Sequence, residues 1–135
     1  MMKTIFFLIS SIFIVFPSVK NLTNEVVYVK DSIELKKAIA SAGPGDEIIM
    51  ANGNWKDVQI RFVGYGTEKQ PITLRAETAG KVIIGGKSDL KLGGEYLVVS
   101  GLYFTNGSSP SDAVIDFAIN QETVANHSRV TNSVI

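Results

Sequence analysis

Short runs in which apolar residues alternate with polar ones cover most of the chain after residue 45. Most of these runs are four or five residues long and are bounded by Gly, Asn, Asp or Pro, which is typical of strands in an all-β protein. The predicted strands are 25–29, 47–50, 58–62, 72–76, 81–84, 90–92, 96–100, 102–104, 113–117 and 128–135. The pattern therefore predicts an all-β fold built from short strands.

One amphipathic helix is predicted between the strand 25–29 and the later strands. Asp31 and Glu34 have the spacing of a capping box, and Gly43-Pro44 is a stop signal. The apolar stripe at helical spacing consists of Ile33, Leu35 or Lys36, Ala38, Ile39 and Ala42. Because no second helix interrupts the strands, a parallel sheet made of βαβ units is not expected.

The spacing of the strands indicates a repeat. Three apolar residues have an apolar counterpart after 20 to 25 residues: Leu74 with Val98, Ile83 with Tyr103 and Leu92 with Phe117. Such a period is typical of a solenoid, and an amphipathic helix before the first repeat would cover its end. A β-sandwich remains the alternative, because it also has turns every 8–12 residues or so.

Composition excludes several classes of protein and site. The 135 residues carry 13 Lys and Arg against 13 Asp and Glu, with one His and no Cys. A balanced charge argues against a nucleic-acid-binding module, which normally has a basic face. Without cysteine there are no disulfides, thiolate zinc sites or cysteine nucleophiles. The length corresponds to one domain or less.

The N-terminus has the pattern of a signal peptide. Lys3 precedes thirteen uncharged residues at 4–16, and Pro17 then breaks the run. This stretch is short for a membrane-spanning helix and right for the apolar region of a secretory signal. We therefore predict a signal peptide over about residues 1–20, a mature chain of 21–135 without stable membrane insertion, and a secreted or periplasmic location. A retained N-terminal anchor is the alternative.

Two groups of motifs resemble those of known proteins. Residues 42–55 (AGPGDEIIMANGNW) are similar to the opening of right-handed parallel β-helix proteins. Residues 72–77 (ITLRAE), 94–104 (GEYLVVSGLYF) and 128–132 (SRVTN) resemble polysaccharide lyase family 6, the chondroitinase B and alginate lyase group. The resemblance extends from about Val27 to Ile135. It implies a right-handed single-stranded parallel β-helix with a short N-terminal capping helix.

The resemblance also implies a chemistry. Members of this family cleave uronic-acid polymers, alginate or chondroitin and dermatan sulfate, by β-elimination that calcium assists. Their calcium ligands (an Asn and two Glu), their Lys base and their Arg acid lie on later coils of much longer chains. We therefore expect residues 21–135 to be the cap and first coils of a lyase truncated at its C-terminus, without catalytic or metal-binding residues and inactive alone. The alternative is a non-catalytic β-helix that binds carbohydrate or serves in adhesion.

Several residues of these first coils invite a functional interpretation, and each has a structural alternative. His127 could be a general base, but its polar neighbours favour a solvated loop residue. Calcium sites need six to eight oxygens, so solvated positions are favoured for the three nearby carboxylates, Asp112, Asp116 and Glu122. Arg129 and Lys91 could contact an anionic sugar or simply be exposed charges.

The remaining candidates are favoured as structural residues. Trp55 and Tyr103 could stack on sugars, although packing in the core or cap is favoured. Asn132 could begin an internal asparagine ladder or end a turn. The glycine-rich segments 64–66 and 85–86 are predicted to be turns, because no strand-to-helix phosphate loop surrounds them.

Overall fold

The computed structural model describes residues 11–15 and 23–135. Its elements are β1 (Val26–Val29), α1 (Ser32–Ser41), β2 (Glu47–Met50), β3 (Gly53–Lys56), β4 (Gln59–Tyr65), β5 (Ile72–Ala76), β6 (Val82–Gly86), β7 (Asp89–Glu95), β8 (Leu97–Ser100), β9 (Leu102–Gly107), β10 (Ile115–Asp116), β11 (Ala125–Asn126) and β12 (Arg129–Thr131). None of the helices in these two ranges is long and apolar enough to cross a membrane.

The segment 11–15 belongs to the predicted signal peptide. It has no regular secondary structure, and Phe13 is 90% exposed. Residues 1–10 and 16–20, which make up the rest of that prediction, lie outside the described residues. Export therefore stays a prediction.

Three parallel sheets make up the body of the fold. The first sheet has the order β1-β2-β5-β8-β12 and the second has the order β3-β6-β9. In the third sheet, β4, β10 and β11 all pair with β7. The chain visits the first, second and third sheets in turn and then repeats the circuit, and every pair of strands in the three sheets is parallel. This is a parallel β-helix, which confirms the predicted fold class and excludes the sandwich.

The core lies inside the coils. Register places Ile48 beside Leu74 and Leu74 beside Val99, and each of the three is at most 1% exposed. The second and third sheets repeat this arrangement, for example where Ile60 pairs with Leu90. Side chains of a strand alternate between its two faces, so the residues between these columns point out of the coil. Most strands bury two or three apolar residues in this way, and their burial supplies most of the stabilisation.

The helix covers the first coil with its apolar face, but Ile33 does not belong to that face as predicted. Leu35, Ala38 and Ile39 are buried, and α1 packs against β1, β2 and β4. Ile33, which the pattern placed in the stripe, is instead 66% exposed. Leu35, Ala38 and Ile39 share a face because they are separated by three and four residues, and Ile33 falls outside that arc. Ala42 is the C-cap, in an extended conformation that ends the helix.

The predicted cap is present, with one difference. The Asp31 carboxylate accepts hydrogen bonds from the N–H groups of Ile33 (2.9 Å) and Glu34 (2.8 Å). In return, the Glu34 carboxylate accepts from the N–H of Lys30 (2.8 Å), one residue before the position that a capping box uses.

Several details of the strand prediction were wrong. β3 was not predicted, and only Arg129–Thr131 of the predicted strand 128–135 forms a strand, β12. Leu74 pairs with Val99 and not with Val98. The other two predicted spacings are correct: Ile83 pairs with Tyr103, and β7 pairs with β10 at the offset predicted for Leu92 and Phe117. The segments 64–66 and 85–86 are not turns: Gly64 and Tyr65 end β4, and Gly85 and Gly86 end β6. Glycine is needed at these strand ends, because neighbouring backbone or side-chain atoms leave no room for a Cβ on Gly64, Gly85 or Gly86.

Candidate functional site

The outer face of the third sheet carries an ion pair between adjacent coils. Ile60 and Phe62 point into the core, so Arg61 between them points outward, towards Asp89 on β7. Arg61 Nη1 lies 2.6 Å from Asp89 Oδ1, and Nη2 lies 3.2 Å from Oδ2. The Asp89 residue is fully buried, whereas the Arg61 side chain is 38% exposed. This two-point geometry fixes both side chains.

The loop between β9 and β10 buries Asp89. Ser111 Oγ donates to Asp89 Oδ2 (2.9 Å), and Ser109 Oγ donates to the carbonyl of Ala113 (2.7 Å), which holds the loop in place. Burial raises the pKa of Asp89, but hydrogen bonds from Arg61 and Ser111 and the charges of Arg61 and Lys91 outweigh it, so the pKa lies below its usual value. This carboxylate accepts two hydrogen bonds from Arg61 and one from Ser111, and its lowered pKa favours the ionised form.

A shallow cleft lies at the corner between the second and third sheets, and we call it the corner cleft. Its volume is about 780 Å³, and its lining residues are Lys56, Asp57, Gln59, Gly86, Lys87, Asn106, Gly107 and Ser108. Asp57, Gly86 and Asn106, one from each of three successive coils, have φ angles of 56°, 71° and 51°. These left-handed residues turn the chain sharply and leave a recess along the corner.

The corner cleft is positively charged. In residues 11–15 and 23–135, ion pairs join only Arg61 with Asp89 and Arg75 with Glu47, so neither Lys56 nor Lys87 has a carboxylate partner there. The Asp57 carboxylate accepts a hydrogen bond from the backbone N–H of Lys87 (2.8 Å). The lining thus contains two lysines and one aspartate, whose carboxylate is already hydrogen-bonded to the backbone.

Polar side chains on the outer face of the first sheet tie coils together. Glu47 forms an ion pair with Arg75 across β2 and β5. The hydrogen bond from the hydroxyl of Tyr28 to Glu77 raises the pKa of Tyr28. The backbone N–H of Asn52 and the Tyr28 hydroxyl both donate to Glu77 and lower its pKa. These contacts have a structural role.

His127 is a corner residue, as its polar neighbours predict. It lies between β11 and β12 with a φ of 51° and is exposed. Its ring stacks on that of Tyr96, the corner residue of the preceding coil, at a centroid distance of 4.8 Å and an interplanar angle of 10°. The sequence did not indicate this stacking, which pairs equivalent corners of successive coils.

The candidate calcium carboxylates do not form a cluster. Asp112 and Glu122 are exposed, and Asp116 is half-buried on β10 beside Lys91. Within the described ranges, no three side chains of His, Asp or Glu come close enough to hold a metal ion together. The residues present therefore do not fit the calcium site that the resemblance implies.

The other candidates occupy structural or exposed positions. Trp55 is 6% exposed and its indole N–H donates to the carbonyl of Ala51 (2.9 Å), so it belongs to the core. Tyr103 is half-buried in β9. Asn132 ends a turn with a φ of 49° and is exposed, so it does not begin an internal ladder. Arg129 is exposed at the start of β12.

Three serines and the corner-cleft lysines were not singled out by the sequence pattern. The hydroxyls of Ser88, Ser128 and Ser133 accept hydrogen bonds from backbone N–H groups of the coil before, at separations of 30 or 31 residues. Ser128 and Ser133 directly follow a left-handed residue, His127 and Asn132, and Ser88 follows Gly86 by two. A serine just after a predicted corner is the signal that could have located them.

Comparison with known proteins identifies the family. Residues 29–135 match the family model for chondroitinase B, so the chain belongs to the chondroitinase B family. None of the curated proteins matches the chain.

Three solved structures show the same fold. A PL6 family alginate lyase, AlyGC, is 45% identical to this chain, with a TM-score of 0.79. The match covers 81% of this chain and 15% of the AlyGC chain. The PL6 family polysaccharide lyase Pedsa3628 from Pseudopedobacter saltans is 40% identical with a TM-score of 0.71 over 80% of this chain and 24% of its own. A mannuronic acid specific family 6 lyase from human gut microbiota is 31% identical with a TM-score of 0.77 over 82% of this chain and 26% of its own. The chain thus spans at most about a quarter of the length of these lyases.

Proposed function

We propose that this chain is the N-terminal part of an exported polysaccharide lyase that cleaves a uronic-acid polymer by β-elimination. The observation that carries the proposal is the match of residues 29–135 to the chondroitinase B family, together with 45% identity to an alginate lyase. Two of the three similar structures are described as acting on alginate or mannuronic acid, so alginate is the first substrate to test. Dermatan sulfate is the second.

The proposed reaction has defined requirements. A base removes the proton at C5 of the uronate, the bond from C4 to the glycosidic oxygen breaks, and an acid protonates that oxygen. The product carries a double bond between C4 and C5. Negative charge develops on the uronate carboxylate, and a cation stabilises it.

The residues of this chain supply structure and not the reacting groups. Asp89 is committed to Arg61 and Ser111, and His127 stacks on Tyr96 with no carboxylate bonded to it among the described residues. We therefore propose, with the family resemblance as support, that the base, the acid and any calcium ligands lie on coils after residue 135. The contribution of residues 23–135 is the cap and the first coils on which those later coils stack.

The experiment compares two proteins, the 135-residue chain and the longer gene product that we expect to contain it. Each is incubated with alginate, dermatan sulfate and a neutral polysaccharide, with calcium or with a chelator. The ultraviolet absorbance of the new double bond is followed. We expect the longer protein to cleave a uronate polymer with calcium dependence and the 135-residue chain to be inactive. Activity of the short chain would refute the placement of the site, and an inactive long protein would favour a carbohydrate-binding or adhesion role.

A further inference from the structure

We propose that the corner cleft is a binding site for an anionic polysaccharide, separate from the reacting groups and positioned by the first coils. The inference rests on the proposed function, because a uronic-acid polymer is the partner that it assigns. The site would hold a stretch of polymer by its carboxylates and hydroxyls, without cleaving it. Its central residues are Lys56 and Lys87.

The two lysines lie one coil apart at the same corner. Lys56 ends β3, where it pairs with Gly85 of β6, and Lys87 follows two residues later in the next coil. Adjacent strands are about 4.8 Å apart, so the two charges are offset along the axis of the β-helix. A polymer that extends along this corner, with a carboxylate on each sugar, can engage both lysines.

The floor of the corner cleft is formed where a side chain is missing. A Cβ on Gly86 would overlap Asp57 Oδ1 and would lie 3.0 Å from Lys56 Cγ. The stem of Lys56 and the carboxylate of Asp57 therefore lie across Gly86, which keeps the Lys56 stem against the wall of the recess.

Charge and hydrogen-bonding groups favour an anionic carbohydrate over other ligands. The lining contains two lysines and one aspartate, so its formal net charge is positive, and the Asp57 carboxylate is held by the N–H of Lys87 (2.8 Å). Gln59 and Asn106 are exposed and supply amide groups, which suit sugar hydroxyls. The cleft is shallow and polar, which fits an extended chain better than an enclosed small molecule.

The test measures binding of a uronate hexasaccharide by calorimetry at low salt, with a neutral hexasaccharide as the comparison ligand. Lys56→Gln and Lys87→Gln are combined in one variant of the protein. The matched control is Lys30→Gln combined with Lys81→Gln, which removes the same charge from two exposed lysines outside the corner cleft. We expect the first variant to raise the Kd for the uronate about tenfold, as expected for two exposed charge contacts, and the control to leave it within about twofold.

The outcomes separate this site from the proposed lyase. An unchanged Kd in the Lys56 and Lys87 variant, an equal loss in the control, or equal binding of the neutral hexasaccharide would each overturn the site. If that happens while the longer protein still cleaves a uronate polymer, the lyase function stands alone. If the wild-type protein binds the hexasaccharide through these lysines but no uronate polymer is cleaved, the site stands and the lyase function fails.

Discussion

Arg61 and Asp89 join two adjacent coils through a pair of contacts, 2.6 Å between Nη1 and Oδ1 and 3.2 Å between Nη2 and Oδ2. Asp89 is fully buried because the loop that contains Ser111 folds over it. The ion pair therefore links β4, β7 and the loop between β9 and β10, which are distant in sequence. Loss of this carboxylate should loosen all three.

The first prediction concerns Asp89→Asn. The substitution removes the charge that Arg61 contacts and retains the size of the side chain, so we expect a loss of about 1–3 kcal/mol in the free energy of unfolding. The estimate is at the low end for a buried pair because the Arg61 side chain is 38% exposed and water screens it. Urea unfolding at pH 7 measures the loss. Asp112→Asn, at an exposed position, is the control and should change the free energy by less than about 0.5 kcal/mol.

The same pair of proteins tests the pKa of Asp89. Because the folded-state pKa is lowered, the carboxylate stabilises the fold fully above the unfolded-state pKa of about 3.9, and this contribution is lost as the pH falls through the folded-state value. The difference in stability between wild type and Asp89→Asn should therefore shrink as the pH falls below about 4. A difference that stays constant down to pH 2 or so would show that the charge does not stabilise the fold.

The second prediction uses two isoleucines of α1. Ile39 is 9% exposed and lies over the first coil, whereas Ile33 is 66% exposed. Ile39→Asp places an unpaired charge in an apolar contact and should cost about 3–5 kcal/mol. Ile33→Asp should change stability by less than about 0.5 kcal/mol. Thermal melting of both variants measures this. A similar effect of the two changes would mean that the helix does not cap the core through Leu35, Ala38 and Ile39.

The sequence predicted the strands well where alternation and flanking turns agree. β2 and β5 have the predicted bounds, because buried and half-buried residues alternate along each strand and Gly, Pro or Asn lies in the flanking segments. β3 was missed, since Trp55 is its one buried residue and Gly53 and Asn54 are typical of loops. The partner of Leu74 was wrong by one residue because Val98 and Val99 are both apolar, which leaves the direction of each side chain ambiguous.

The site was harder to predict than the fold. Asp89 stands in a strand that alternates with Leu90 and Leu92, so its position indicates an outward and solvated carboxylate. Its burial depends on the loop that contains Ser111, which is 22 residues away and has no regular pattern. The corner cleft similarly depends on the stacking of Lys56, Gly86 and Asn106 from three coils. Such clusters depend on which residues of adjacent coils pair with each other. The spacing of apolar residues in the sequence predicts that pairing only to within one residue.

The third prediction concerns the corner serines. Ser88 is 5% exposed, and its hydroxyl accepts from the N–H of Val58 (2.9 Å) and donates to the carbonyl of Gly85 (2.7 Å). Ser88→Ala leaves a buried N–H without its acceptor and should cost about 1–3 kcal/mol. Ser41→Ala, at an exposed position at the end of α1, should cost less than about 0.5 kcal/mol. Chemical unfolding compares them, and equal costs would contradict a bridging role for Ser88.

The fourth prediction concerns export. Lys3, the thirteen uncharged residues after it and the break at Pro17 form the pattern of a cleaved signal. Mature protein from its source should therefore begin between about Ser18 and Glu25. N-terminal sequencing of the secreted or periplasmic fraction tests this. An intact N-terminus found in the cytosol would contradict it.

The fifth prediction compares two glycines that both have positive φ angles. Gly94 has a φ of 114° in β7, and a Cβ there would overlap the backbone carbonyl of Gly64 in the preceding coil. Gly80 has a φ of 78°, and no atom lies within 4 Å of where its Cβ would be. Both changes to Ala carry a backbone strain of about 1–2 kcal/mol or more, the larger at Gly94, and only Gly94→Ala must also push two coils apart. We expect Gly80→Ala to fold with a modest loss of stability and Gly94→Ala to lose about 3 kcal/mol or more, measured by urea unfolding. Equal losses would show that β4 and β7 do not approach as closely as their register requires.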